Sequence, residues 1–382
     1  MPEKNLSADE LQRYARHIVM PEFGIDAQRK LKAASVIIIG AGGLGSPAAL
    51  YLAAAGIGKI GVVDFDDVSM SNLQRQILYG TGDIGRPKTR LAEERIRSLN
   101  PNVKIETYKT ALEASNALDI LSGFDIILDA TDNFATRYLV NDASCILKKP
   151  NIYGSIIRFE GQVSVFDPNR GPCYRCLFPA PPPPHLVPNC ADGGVLGVLP
   201  GIIGSMQALE AMKVITGIGQ PLIGRLVLFD GLSMRMMEIA IAKDPACPSC
   251  SENPEIRTLS DLEHACRSIR EVTIGEPAKD EITPRELESI LSNGKNLFLL
   301  DVREPGEYDI CNLGGHLIPL GELPRRLGEI DATKPIVVHC KSGARSASAV
   351  TLLKNAGFRD VRNLAGGIDA WAEQVDAHLQ RY

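Results

Sequence analysis

Cys340 is the strongest nucleophile candidate in this 382-residue chain, and it leads into Lys341-Ser342-Gly343-Ala344-Arg345-Ser346. A strand from Pro335 to His339 precedes it and a helix through Asn355 follows. The sulfur should therefore lie among backbone N–H groups at a helix N-terminus, beside two cations, a setting that favours the thiolate and predicts a depressed pKa. Two chemistries use such a cradle, phosphate-ester hydrolysis and sulfur transfer. Phosphatase loops of this kind run one residue longer between cysteine and arginine than Lys341 to Ala344 allows, so the smaller ring suits a persulfide better. His339 is expected to orient the loop rather than to act as a base. A second thiol, Cys190, lies in Pro188-Asn189-Cys190-Ala191, with Gly193 and Gly194 beyond and the proline-rich stretch from Pro179 to Pro184 before it. Those neighbours predict an exposed, reactive cysteine on a mobile crossover.

Four more cysteines fall into pairs, Cys173-Tyr174-Arg175-Cys176 and Cys247-Pro248-Ser249-Cys250. One Cys-x-x-Cys pair could be a redox dithiol, but two in one chain supply the ligands of a tetrahedral four-thiolate zinc site of the structural kind. Cys145, Cys266 and Cys311 have no partner spacing and read as packing residues.

A nucleotide site is written around Val36-Ile37-Ile38-Ile39-Gly40-Ala41-Gly42-Gly43-Leu44-Gly45-Ser46. A buried strand runs into spaced glycines that let backbone N–H groups approach phosphate, and Pro47 opens a helix aimed there. Ile60 to Asp64 is the next strand, and the acidic Asp64 at its end stands where a ribose hydroxyl is usually held. The motif alone leaves NAD, FAD and ATP open, and no Gly-Lys-Ser/Thr ending supports a Walker loop. Ser71-Asn72-Leu73-Gln74-Arg75-Gln76 and Lys88, at the start of a helix ended by Asn100-Pro101, follow the strand ends where ligands bind in open α/β sheets. Asp132 and Asn133 stand at the end of the strand from Phe124 to Asp129 and can hold magnesium on phosphate oxygens, which tips the reading towards ATP.

The elements needed to position these groups are those of two α/β units. Residues 1–252 carry the nucleotide motif and both cysteine pairs, 253–279 turn polar and read as a linker, and 280–382 form a second unit opened by Thr283-Pro284. Ser7-Ala8-Asp9-Glu10 reads as a capping box for a helix that carries Arg13 and Arg16 and ends at Pro21. A net charge of −5 and a pI near 5.8 argue against nucleic acid as the main partner. No uncharged run reaches membrane-spanning length and the first residues lack an apolar signal core, so the expected location is cytoplasmic, with no membrane partner.

With these motifs in place, residues 1–252 resemble the ubiquitin-activating-enzyme-like adenylyltransferases, in particular the molybdopterin-synthase adenylyltransferase and its thiamine-pathway relative. Residues 280–382 resemble a rhodanese domain, and the fused order is similar to the molybdopterin-synthase adenylyltransferase/sulfurtransferases of bacteria and eukaryotes. The implied fold is a Rossmann-like adenylation domain with a mixed sheet followed by a smaller α/β rhodanese domain. The resemblance implies that Gly40, Gly42 and Gly43 cradle ATP and that Asp64 holds its ribose. Ser71, Asn72, Leu73, Gln74, Arg75 and Lys88 would contact the phosphates, with Asp132 on magnesium and Asn133 on the nucleotide. Arg16 would reach into a partner subunit's site, which implies a homodimer. Cys173, Cys176, Cys247 and Cys250 match zinc ligands, Cys190 the crossover cysteine and Cys340 the persulfide cysteine, in the loop Lys341, Ser342, Gly343, Ala344 and Arg345. Gly314-Gly315-His316 is shorter than the usual rhodanese turn at that rim.

The implied substrate is a small ubiquitin-like sulfur-carrier protein ending in Gly-Gly, adenylated and then converted to a thiocarboxylate in a molybdenum cofactor, thiamine or related sulfur pathway. A cysteine desulfurase or thiosulfate would load Cys340. The rival reading is an activator that passes a modifier onward as a Cys190 thioester, with the rhodanese domain a docking module. An NAD-dependent oxidoreductase fits poorly, because nothing supplies a hydride-site acid or base.

Overall fold

The computed structural model describes residues 5–181, 194–260, 280–294 and 296–382. Cys190 and Cys266, half of the proline-rich stretch and most of the expected linker lie outside them.

Two compact units divide the chain. The first is built on β1 (Ser35–Ile39), whose every residue is buried. Its run of Val and Ile suits a strand covered on both faces, as parallel sheets require. It pairs in parallel with β2 (Lys59–Val63) on one side and β4 (Ile126–Asp129) on the other. The whole sheet runs β3-β2-β1-β4-β5-β6-β7-β8, adding β3 (Lys104–Tyr108), β5 (Asn151–Ile157), β6 (Glu160–Phe166), β7 (Arg225–Asp230) and β8 (Arg235–Ala240). Pairings are parallel from β3 to β5 and antiparallel from there to β8. The expected mixed sheet is thus present.

Alternate residues of β1 feed separate cores. Val36 and Ile38 join Ala48, Leu52, Leu91, Leu199 and Ile203 from helices on one face, while Ile37 and Ile39 join Leu121, Leu139 and Val140 on the other. Strand order reverses between β1 and β4, which leaves a crevice at their carboxyl ends.

The second unit is a five-stranded, all-parallel sheet in the order β11-β10-β12-β13-β9. Its strands are β9 (Glu281–Ile282), β10 (Phe298–Asp301), β11 (His316–Leu317), β12 (Ile336–His339) and β13 (Val361–Leu364). Leu300, Val338 and Leu353 pack on one face, and Leu287, Val337, Leu364 and Trp371 on the other.

Local signals held with small shifts. Ser7 and Glu10 form the capping box, but the helix breaks at Tyr14 into Ala8–Arg13 and Ala15–Ile18. The helix expected to open at Pro47 begins two residues earlier and spans Gly45–Ala55. Thr283 and Glu286 cap Pro284–Ser292 reciprocally.

Candidate functional site

The crevice of the first unit is a cavity walled by the loops after β1, β2 and β4. Gly40 has φ +93°, and a Cβ there would stand 2.9 Å from the Ala130 carbonyl oxygen, so glycine lets the two strand ends close up. A Cβ at Gly45 would stand 2.0 Å from the Gly40 carbonyl oxygen, which pins the helix start to the end of β1. At Gly42 the nearest atom to a Cβ would be Gln76 Nε2, at 3.6 Å, so that glycine faces open cavity.

Of the expected nucleotide residues, Gly40, Gly42, Gly43, Asp64, Asn72, Arg75, Lys88, Asp132 and Asn133 line the cavity. Ser71, Leu73, Gln74 and Arg16 are not in its lining, and Arg16 is exposed. Asp64 is buried and accepts from the backbone N–H groups of Ala41 and Asp66, both at 2.8 Å. Burial raises its pKa, opposed by the Lys88 charge and those two N–H bonds. Lys88 is only 4% exposed, and Asp66 Oδ2 holds its Nζ at 2.9 Å. Arg75 Nη1 donates to the Ser71 carbonyl at 2.9 Å, so Ser71 orients a wall residue without being one. Asn133 Oδ1 caps the helix Phe134–Leu147 by accepting from Thr136 N at 2.8 Å, while Asp132 stays exposed.

The walls also hold Asp66 and Arg137, to which the sequence assigned no nucleotide role, and Gln76, which it placed only in the polar run after the strand ends. Arg137 is buried and its Nη2 donates to the Thr131 carbonyl at 2.9 Å. Thr131 donates in turn, through N and Oγ1, to Asp129, whose pKa burial raises. The available signal was position, since a residue four after a helix cap faces the same end as the cap.

The two cysteine pairs converge. Sγ separations are 4.0 Å for Cys173 and Cys176, 3.5 Å for Cys173 and Cys247, and 3.4 Å for Cys176 and Cys250. All four sulfurs lie within 4.8 Å of one another. A tetrahedron of Zn–S bonds has edges of about 3.8 Å, so the cluster fits zinc. The inner residues of both pairs bind one carboxylate: Arg175 grips Asp142 through Nε at 2.8 Å and Nη2 at 2.7 Å, and Ser249 Oγ donates to it at 2.8 Å. Asp142 belongs to the helix Phe134–Leu147, so one helix is tied to the nucleotide cavity by its first turn and to the cysteine cluster by its third. Cys145 of the same helix packs against the cluster, in keeping with its reading as a packing residue.

In the second unit Cys340 directly follows β12 and is 1% exposed. Its Sγ accepts from Gly343 N at 3.1 Å and from Ser346 Oγ at 3.3 Å. Gly367 permits the next helix to start against this loop, so that Ile368 N and Asp369 N donate to the carbonyls of Cys340 and Lys341 at 2.9 and 3.1 Å.

The flanking cations are not simply turned to the sulfur, as the sequence suggested. Arg345 is clamped by Glu307, Nη1 to Oε2 at 2.6 Å and Nη2 to Oε1 at 2.7 Å. Lys341 Nζ lies 4.4 Å from the centre of the Tyr382 ring. Tyr382 Oη donates to Glu307 Oε1 at 2.8 Å and accepts from Arg303 Nη1 at 2.9 Å, while Arg303 forms a fully buried pair with Asp301. His339 is buried, and burial, helped by Arg303 and opposed by Asp301, lowers its pKa to about 4. It is a neutral core ring at physiological pH.

Comparison with known proteins matches these units to two families. The ThiF family model matches residues 14–249 and the rhodanese-like domain residues 283–374. A probable adenylyltransferase/sulfurtransferase MoeZ of Mycobacterium tuberculosis is 46% identical over 388 residues, covering 100% of this chain and 97% of the relative. The adenylyltransferase and sulfurtransferase MOCS3-1 of Zea mays is 40% identical, covering 100% and 85%. Among solved structures, E. coli MccB with succinimide aligns at TM-score 0.57 with 20% identity, over 65% of this chain and 75% of that one, a likeness of fold. The cavity at the strand switch, the four-thiolate cluster and the cysteine loop thus stand on the units that these families define, and the chain belongs to the ThiF family, as an adenylyltransferase/sulfurtransferase with a rhodanese-like domain.

Proposed function

We propose that this enzyme adenylates the C-terminal glycine of a small ubiquitin-like sulfur-carrier protein and converts it to a thiocarboxylate with sulfur carried on Cys340. Residues 1–252 supply the first activity and 280–382 the second, and the enzyme acts as a homodimer in which Arg16 completes the partner's site. The observation that carries this reading is one chain holding both a cavity at a strand switch, with Arg75 and Lys88 in its wall beside the glycine turn, and a cysteine in a hydrogen-bonded loop after a parallel strand.

A carboxylate is a poor electrophile because its oxygen leaves badly. Attack of that oxygen on the α-phosphorus of ATP expels pyrophosphate and installs AMP as the leaving group. Gly42 and Gly43 offer backbone N–H groups to the phosphates, Arg75 and Lys88 stabilise charge on them, and Asp66 holds Lys88 in place. Asp132, exposed at the cavity wall, has the hard oxygen donors magnesium takes, and the ion would neutralise phosphate charge there.

Sulfur transfer follows. The terminal sulfur of the Cys340 persulfide attacks the acyl carbon, AMP leaves, and an acyl disulfide joins carrier to Cys340. Cys190 then attacks the Cys340 sulfur and releases the thiocarboxylate. That leaves a disulfide which a cellular dithiol reduces. A cysteine desulfurase or thiosulfate reloads Cys340.

ATP–pyrophosphate exchange is the test. It should require a carrier with a free C-terminal glycine and be abolished by Asp132→Ala, while mass spectrometry should show that Cys340→Ala forms the acyl adenylate but no thiocarboxylate. Exchange that survives Asp132→Ala removes the magnesium role, and thiocarboxylate formed by Cys340→Ala without added sulfide removes the sulfur relay.

A further inference from the structure

Both cations expected to serve Cys340 are engaged by one small group of residues. Glu307 binds Arg345 with both oxygens, and the Tyr382 ring covers Lys341. Tyr382 belongs to both arrangements, because its hydroxyl also donates to Glu307 Oε1. Arg303, itself locked to Asp301, holds that hydroxyl from the other side. The aromatic ring is therefore fixed by two hydrogen bonds and is not a loose cover.

We infer that Tyr382 is a positioning residue that sets donor preference at Cys340. By holding Lys341 under its ring, and Arg345 through Glu307, it withholds the positive charge that a small dianionic donor needs. The inference rests on the sulfur-transfer reading of this loop. Thiosulfate is the probe. Its outer sulfur bonds to the Cys340 thiolate as the S–S bond to sulfite breaks, and the bond pair leaves with sulfite. Cyanide then removes that sulfur as thiocyanate and restores the thiolate.

Steady-state thiosulfate:cyanide transfer by the full chain tests the inference. Tyr382→Ala should lower KM for thiosulfate by about two- to five-fold, the scale of a partly exposed cation–π contact, while kcat stays within about two-fold. The fall should be larger at low ionic strength, where a released lysine attracts an anion further. Tyr382→Phe keeps the ring over Lys341 but loses the hydroxyl's two hydrogen bonds, so it should lower KM by less than alanine does. Tyr382→Leu retains apolar cover without a π-face, and it should reproduce the fall seen with alanine should that variant fold poorly. An unchanged or raised KM in Tyr382→Leu, in a protein of unaltered melting temperature, overturns the inference. A parent enzyme that transfers no sulfur from thiosulfate or from a protein persulfide overturns the sulfur-transfer reading itself.

Discussion

Glu307 is the carboxylate on which the second unit's polar network turns. Burial pushes its pKa up, but hydrogen bonds from Arg345, from Glu304 N and from Tyr382 hold it down, at about 2 against an ordinary 4.5. Because the folded value is the lower one, the clamp's contribution to stability is present above pH 4.5 and is lost as pH falls from there towards 2. Melting of the parent and of Glu307→Gln should therefore differ most at neutral pH, and the gap should narrow as pH falls below the ordinary carboxylate range. A gap that stays constant with pH would show that the charge is not what the clamp contributes. Cys340 illustrates the same lesson about neighbours. Its loop was readable from adjacent residues, but Glu307 is 38 positions from Arg345 and Tyr382 is 75 from Glu307, distances no local pattern bridges.

The turn between β1 and the helix Gly45–Ala55 separates two duties that the glycine spacing runs together. Gly45→Ala places a Cβ 2.0 Å from a backbone oxygen. Overpacking of that kind typically costs about 1–3 kcal/mol, so a lowered denaturation midpoint is expected. At Gly42 the same substitution meets only ordinary contact, and the added methyl points into the cavity. Gly42→Ala should keep the midpoint and weaken ATP binding, as read by exchange kinetics against calorimetry. Equal loss of stability in both variants would contradict this division. The nucleotide turn, β1, the helix after Lys88 and the Cys340 loop were legible because each is specified by residues adjacent in sequence. The wall formed by Asp66 and Arg137 was not, since an ion pair across 22 residues and a helix face depend on packing. Ser71, Leu73 and Gln74 come from the same polar run as Asn72, Arg75 and Gln76, but they lie outside the cavity's lining, because a local pattern does not say which side chains of a run turn inward.

On the scale of the whole molecule, two families of chemistry are joined in one chain, and among the described residues no helix is long and apolar enough to cross a membrane. Within the first unit, zinc should bind at one ion per chain, and Cys247→Ser should remove it. The helix Phe134–Leu147, capped by Asn133, sets Asn133 and Arg137 in the cavity wall and continues to Asp142, which binds the inner residues of both cysteine pairs. A rigid element shared by two ligands makes their affinities reciprocal, so whatever free energy metal adds to nucleotide binding, nucleotide must add to metal binding. Saturating ATP should accordingly slow zinc release to a chromogenic chelator, and Asp142→Asn should erase the protection by cutting the rod from the cluster. Equal release rates with and without ATP would mean that the helix does not couple them. With coupling, a cell short of ATP would loosen this enzyme's hold on its metal.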